Sequence, residues 1–139
     1  MSSWEKWNTD FNDRLPIYQQ IIDRFCRSFV KKEIPPGDRI PSIRDMALIL
    51  KVNANTIQRV YQEMERKELI FSRRGTGYFV TEDSNMVQRI QRDMAQDSTG
   101  RFLEEMRSLG YTDRQILTEI SHRMEGETKN GHPHSDEGN

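Results

Sequence analysis

The chain has 139 residues, of which 34% are hydrophobic and 31% are charged, and its mean hydropathy is −0.88. No stretch approaches the roughly 18 apolar residues of a membrane-spanning helix, and residues 1–10 lack the apolar segment of a signal peptide. Cys26 is the only cysteine, which excludes a disulfide framework and a cysteine-based zinc site. We therefore expect a cytoplasmic protein without membrane association, whose modest core a partner subunit would extend.

The net charge of −1 conceals an uneven distribution of charge. Residues 16–81 carry 12 Lys and Arg against 7 Asp and Glu, whereas residues 82–139 carry 7 against 12. A basic central segment indicates contact with a polyanion, but ordinary scatter of surface charge would give the same numbers. The order of the predicted elements has to decide between the two interpretations.

Apolar side chains at helical spacing predict three helices in the central segment. The first covers 16–32. The second covers 42–51 and begins at Ser42, a capping residue with Asp45 three positions later. The third covers 53–67 and begins with an asparagine, a favoured N-cap. Two short helices joined by about three residues form a helix-turn-helix pattern.

A β-hairpin is predicted after the third helix. Residues 69–73 and 78–81 are rich in strand-forming types, and they flank Arg74-Gly75-Thr76-Gly77, in which glycine occupies two turn positions. A helix, a helix-turn-helix and a hairpin follow one another in a winged helix. The predicted fold class is mainly α with a small β-hairpin: a winged helix-turn-helix domain followed by a C-terminal helical dimerisation segment.

Four segments follow from this pattern: an N-terminal extension (1–15), a DNA-binding domain (16–82), a two-helix dimerisation segment (83–125) and a disordered tail (126–139). Gly100 could kink or interrupt the first C-terminal helix. A capping box, Thr112 with Gln115, opens the second. In the extension, Trp4 and Trp7 would pack either on a partner or on the first helix.

Polar side chains at the start of the third helix lie off its apolar stripe. Asn, Gln and Arg carry donors and acceptors that read base edges, and the start of a helix offers N–H groups to phosphate. Arginines at the hairpin tip suit a phosphate or a narrow minor groove. Each residue alone is more often a solvated surface residue; together they favour DNA. The candidates are Arg44, Asn53, Asn55, Thr56, Gln58, Arg59, Arg73 and Arg74.

Residues 16–81 resemble the winged-helix domain of the GntR family of bacterial transcriptional regulators, most closely its YtrA-like subfamily. The resemblance rests on "PIYQQI" at 16–21, "PGDRIPSIR" at 36–44, "VNANTIQRVYQEME" at 52–65 and "RRGTG" at 73–77. It implies the DNA contacts named above except Arg73, and it adds Gly75, Thr76 and Gly77. Ser42, next to Arg44 in the chain, is a further candidate for DNA binding. One departure is Lys51, where the family usually has glycine; a left-handed lysine there would cost roughly 1 kcal/mol.

The resemblance also implies that the C-terminal helices serve dimerisation and that the regulated genes lie beside transporter genes. Methionine and other apolar residues at helical spacing agree with a core or a subunit interface. The predicted dimerisation residues are Ile90, Met94, Phe102, Met106, Leu109, Ile116, Leu117 and Ile120. The expected partners are a double-stranded operator and a second copy of the chain. The sequence identifies no small-molecule effector.

Two other classes of function compete with a dimeric DNA-binding repressor. A winged helix that binds only protein or RNA would have no need of the whole set of DNA-contact types. An enzyme would need a nucleophile with a base, a metal cluster or a phosphate-binding loop, and none occurs in a suitable context. No cofactor is expected. His132 and His134, with His122, make a poor metal site, and Cys26 is typical of a buried small apolar residue.

Overall fold

Helices carry most of the structure in the computed structural model, which describes residues 3–7 and 10–129. A 3-10 helix, Ser3–Trp7, comes first. The helices that follow are α1 (Ile17–Val30), α2 (Ile43–Leu50), α3 (Ala54–Arg66), α4 (Ser84–Ser108) and α5 (Asp113–Lys129). The strands are β1 (Arg39–Ile40), β2 (Ile70–Arg73) and β3 (Gly77–Val80). The predicted winged helix-turn-helix is confirmed.

The turn between α2 and α3 has the geometry that its sequence predicts. Lys51 adopts the left-handed conformation, with φ 58° and ψ 46°. The backbone N–H groups of Lys51 and Val52 both donate to the carbonyl of Ala47. These bonds satisfy an otherwise unpaired carbonyl in the last turn of α2. The left-handed conformation of Lys51 is strained, and the two hydrogen bonds that it allows close the end of α2.

The sheet has a third strand that the sequence did not predict. Its order is β1-β3-β2, and both pairs are antiparallel. Arg39 lies opposite Phe79 and Ile40 opposite Tyr78. A strand of two residues is too short to show alternation of apolar and polar side chains, so only the hairpin was visible in the sequence. β1 joins the segment before α2 to the hairpin.

The core of the winged helix forms between α1, α3 and the sheet. Phe25 and Tyr61 are fully buried, with ring centroids 6.0 Å apart and an edge-to-face orientation. The ring of Tyr61 also meets Tyr78 of β3 edge-to-face at 4.9 Å. Other fully buried side chains are Ile21, Phe29, Ile40, Met46, Ile57, Val60, Met64 and Val80.

The N-terminal extension packs on the first helix, which resolves the choice that the sequence left open. Trp7 is 5% exposed, and its ring centroid lies 4.6 Å from that of Phe25. The guanidinium of Arg24 covers Trp7 at 4.6 Å and donates to the backbone carbonyl of Lys6. The ring of Trp4 also contacts the rings of Trp7 and Phe25. The tryptophans thus enlarge the core of the DNA-binding domain.

The chain divides into two compact units, the first ending at Arg92 and the second beginning at Asp93. Helix α4 is continuous through Gly100, so the expected interruption does not occur. The capping box is confirmed, because Thr112 and Gln115 each accept a hydrogen bond from the other's backbone N–H. Helix α5 continues to Lys129. The prediction of disorder is therefore wrong for residues 126–129, and residues 130–139 lie outside the described residues.

Candidate nucleic-acid interface

Helix α2 presents Arg44 in its first turn. The Oγ atom of Ser42 accepts a hydrogen bond from the backbone N–H of Asp45 at 3.1 Å, which satisfies one of the free donors at this helix end. Ser42 thus serves as the N-cap, and Arg44 extends from the turn that it fixes. Both side chains are exposed. The contact of Arg44 with a base edge stays a prediction, with which its exposure agrees.

Helix α3 begins with a second cap. The Oδ1 atom of Asn53 accepts a hydrogen bond from the backbone N–H of Asn55 at 2.7 Å. Asn55 and Gln58 are exposed on the same side of the helix, and Thr56 is half-buried. The predicted polar set is therefore brought together, but its members differ. Asn53 shapes the helix end, whereas Asn55 and Gln58 offer amide groups to solvent.

Arg59 is the member of the predicted set with a partner inside the protein. Its Cζ atom lies 3.6 Å from the centroid of the Tyr18 ring on helix α1. The sequence grouped Arg59 with the base-reading residues because it follows them on α3. The structure directs it towards α1 instead.

The opposite face of α3 fixes the helix in the domain. Ile57, Val60, Tyr61 and Met64 are fully buried. The Tyr61 hydroxyl donates a hydrogen bond to the carbonyl of Pro41 at 2.7 Å. Burial raises the pKa of Tyr61 above its ordinary value, so the hydroxyl keeps its proton and remains a donor. This bond ties α3 to the residue just before the cap of α2.

The hairpin turn forms the wing with two exposed arginines. The backbone N–H of Thr76 donates to the carbonyl of Arg73 at 2.9 Å, and Gly75 adopts a positive φ of 73°. The guanidinium of Arg73 lies 5.0 Å from the centroid of the Phe79 ring. Arg74 lies at the tip. Gly75 thus supplies the left-handed turn that the sequence predicts.

Arg39 is a basic residue of this surface that sequence reasoning missed. A Cβ atom added to Gly77 would lie 3.0 Å from the Nε atom of Arg39. Gly77 also has a φ of 136°, a conformation that favours glycine, and a larger residue there would crowd the Arg39 side chain. The pairing of β1 with β3 brings Arg39 to the base of the wing. No local signal reveals this, because β1 is only two residues long.

Four arginines form the basic part of this surface. Within residues 3–7 and 10–129, no ion pair involves Arg39, Arg44, Arg73 or Arg74. All four side chains are exposed. Exposed cations that form no ion pair can attract a polyanion and release its counterions on binding.

The second unit carries an exposed apolar groove between α4 and α5. Its volume is about 430 Å³. The exposed fraction is 65% for Leu109 and 64% for Met124, and a contiguous exposed apolar patch often marks an interaction site. The groove is lined by Phe102, Met106, Leu109, Tyr111, Glu119, Ile120, Arg123 and Met124.

The predicted dimerisation residues do not share one environment. Ile90 and Ile116 are buried within the single chain, so they contribute to its own packing and are not available to a partner. Met94, Met106 and Ile120 are half-buried. Phe102, Leu109 and Leu117 are exposed. The six predicted residues other than Ile90 and Ile116 remain accessible to a partner.

The residues with reactive or metal-binding side chains form no second site in the described part of the chain. Burial raises the pKa of the Cys26 thiol to about 11, which agrees with an inert small residue rather than a redox centre. No group of three or more His, Cys, Asp and Glu residues is placed to hold a metal within residues 3–7 and 10–129. His132 and His134 lie outside the described residues. No helix of the described chain is long and apolar enough to span a membrane.

The geometry defines a class of protein. A capped recognition helix, a preceding helix with an exposed arginine, and a basic wing make a winged-helix DNA-binding domain.

Comparisons with known proteins give the family. Residues 17–80 match the model of "Bacterial regulatory proteins, gntR family". The HTH-type transcriptional regulator YhcF of Bacillus subtilis is 40% identical over 119 residues, covering 86% of this chain and 98% of YhcF. The HTH-type transcriptional repressor YtrA of the same organism is 39% identical over 69 residues, covering 50% of this chain and 53% of YtrA. A solved GntR family transcriptional regulator from Listeria monocytogenes is 37% identical, with a TM-score of 0.74 over 81% of this chain and 98% of its own.

The chain belongs to the GntR family and is a DNA-binding transcriptional regulator. These relatives are regulators rather than enzymes.

Proposed function

We propose that the protein is a homodimeric repressor that reads a palindromic operator through α2, α3 and the wing. The observation that carries the proposal is the exposed polar face of α3, with Asn55 and Gln58, in the same winged-helix domain as the exposed Arg44 of α2 and the basic wing. Paired amide and guanidinium groups are the side-chain types that distinguish base pairs in the major groove.

The residues of this surface have different roles in the proposal. Arg44, Asn55 and Gln58 contact base edges. Ser42 and Asn53 cap the two helices and hold those contacts in place, which agrees with their hydrogen bonds. The wing, Arg73–Gly77, contacts the backbone or the minor groove beside the site, and the glycines allow a close approach.

Dimerisation is proposed through the groove of the second unit. One winged helix makes few base contacts, whereas a twofold dimer doubles them and matches half-sites about one helical turn apart, roughly 34–36 Å. The exposed apolar side chains of α4 and α5 support this proposal, since subunit interfaces are richer in such groups than ordinary surface.

Repression is proposed to occur by occlusion of a promoter. The similarity to YtrA, which is named a transcriptional repressor, supports repression rather than activation. We further propose transporter genes as targets, as the resemblance to YtrA-like regulators implies.

The proposal is tested by selecting duplexes from a random library with the full-length protein and sequencing them. We expect an inverted repeat. Arg44→Ala should then weaken binding to the selected duplex by about 1–3 kcal/mol and flatten preference at one position in each half-site. Thermal unfolding should be unchanged, because the side chain is exposed. Selection of a single unrepeated motif would contradict the palindrome, and unchanged affinity of the variant would contradict the role of Arg44.

A further inference from the structure

The contact between Arg59 and Tyr18 is the closest of the arginine–aromatic contacts in the described chain, at 3.6 Å from Cζ to the ring centroid. Arg59 is exposed and Tyr18 is half-buried. At this distance the guanidinium lies against the face of the ring. Such stacking leaves the N–H donors of arginine in the plane of the group and available to another partner.

The position of Arg59 on α3 separates it from the base-reading residues. At about 100° per residue, Asn55 lies between Gln58 and Arg59 around the helix axis, about 60° from the first and about 40° from the second. Arg59 therefore occupies the flank of the exposed face that turns towards α1. Its stacking on Tyr18 holds the charge at that flank.

No acidic side chain neutralises Arg59 by direct contact in the described part of the chain. The nearest acid along the helix is Glu63, which forms its ion pairs with Arg66 and Lys67. The hydrogen bond from Arg66 lowers the pKa of the Glu63 carboxyl, and the charge of Arg59 adds to this effect without an ion pair between Arg59 and Glu63. The N–H donors of Arg59 therefore stay available to another partner. A groove reader meets phosphates on both sides of the bases that it reads.

We propose that Arg59, held by Tyr18, binds a phosphate at the edge of the groove that α3 reads, and that it does not read a base. Tyr18 is a positioning residue for this contact: its ring orients the guanidinium, and a planar guanidinium matches the oxygens of a phosphate. Because Tyr18 belongs to α1, this phosphate contact would make the position of α3 along the duplex depend on α1 as well. This inference rests on the proposed reading of DNA by α3.

The experiment measures binding of the full-length protein to its selected duplex and to a duplex of random sequence over a series of salt concentrations. For Arg59→Ala we expect the same fold-loss of affinity on both duplexes. We also expect the slope of log K against log salt to fall by about 0.9, the value for one phosphate contact. Gln58→Ala is the matched control, which should reduce discrimination between the duplexes and leave the slope unchanged.

The role of Tyr18 is tested by two substitutions. Tyr18→Phe keeps the ring and should retain wild-type affinity, whereas Tyr18→Leu should weaken binding to both duplexes. In the Arg59→Ala background, Tyr18→Leu should have no further effect on affinity. Circular dichroism melts of each variant report folding independently, so a loss of affinity with an unchanged melt assigns the effect to binding.

Two outcomes would overturn the inference while leaving the proposed function intact. One is an altered base preference for Arg59→Ala at unchanged salt slope, which would make Arg59 a base reader. The other is full additivity of the Tyr18→Leu and Arg59→Ala losses, which would mean that the tyrosine acts without the arginine. If the wild-type protein bound neither duplex in a salt-dependent manner, the proposed function itself would fail.

Discussion

Lys51 has a strained backbone conformation in the turn between α2 and α3. Its φ of 58° is unfavourable for a side chain with a Cβ atom. Its backbone N–H nevertheless closes α2 on the carbonyl of Ala47. The departure from glycine was visible in the sequence, whereas the left-handed conformation of Lys51 was expected only from the resemblance to the GntR family.

Replacing Lys51 by glycine should raise the free energy of unfolding by about 0.5–1 kcal/mol. Glycine removes the strain of the left-handed conformation, and its greater freedom in the unfolded chain offsets part of the gain. Urea unfolding followed by circular dichroism measures the change. Lys51→Ala is the control and should give no gain, because alanine has the same strain. Equal stability of the glycine variant and the wild type would show that the turn is not strained.

The wing arginines should contribute charge rather than base discrimination. Replacing Arg73 and Arg74 together by alanine should weaken binding to every duplex. The salt slope should fall by about one unit for each phosphate that the variant no longer neutralises. The salt dependence of fluorescence anisotropy on selected and random duplexes measures both quantities. Weaker binding at a constant salt slope would mean that these arginines do not neutralise phosphate.

The elements differ in how well the sequence predicts them. Helices α1, α2 and α3 follow from long apolar stripes and from the caps Ser42 and Asn53. Strand β1 was missed because its pairing with β3 is a tertiary contact. The sequence suggested that Gly100 could kink or interrupt α4. The helix continues through this residue, since a single glycine costs a helix only about 1 kcal/mol. The Arg59–Tyr18 and Arg39–Gly77 contacts were also missed, because they join residues far apart in the sequence.

The first residues of α4 contribute to the stability of the first unit. Met86 and Ile90 are 1% and 7% exposed, although they follow the predicted end of the DNA-binding domain at residue 82. A chain that ends after Glu82 loses both side chains from its core.

We expect the variant ending after Glu82 to be less stable than one ending after Arg92, by several kcal/mol. Burial of a Met or Ile side chain contributes about 1.5–3 kcal/mol each. Thermal unfolding of the two truncated chains measures the difference. Met86→Ala in the longer variant is a control that should reproduce part of the destabilisation. Identical melting temperatures for the two variants would contradict a packing role for the start of α4.

At the scale of the whole molecule, the mass in solution tests the proposed dimer. The proposed dimer predicts a doubled mass in light scattering at tens of micromolar, about the range in which even weak dimers form. Met124→Glu introduces a charge at an exposed apolar position of the groove and should give a monomer with an unchanged melt. That monomer should bind the selected duplex more weakly, because two linked half-site readers gain affinity through effective concentration.

A control substitution distinguishes loss of the dimer interface from the general effect of an added negative charge. Gln115→Glu changes the charge at the start of the same helix, where an acidic residue is favourable, and should leave the mass unchanged. A full-length protein that remains monomeric over the whole concentration series would contradict both the dimer and the palindromic operator.

The hydrogen bond from Tyr61 to the carbonyl of Pro41 has a consequence for how such regulators diverge. Its acceptor is a backbone atom, so the bond survives any substitution of the side chain at that position. Arg44, Asn55 and Gln58 lie outside the core that this bond completes. If these three residues contact bases as proposed, exchanging them would change the operator without altering the mutual placement of α2 and α3.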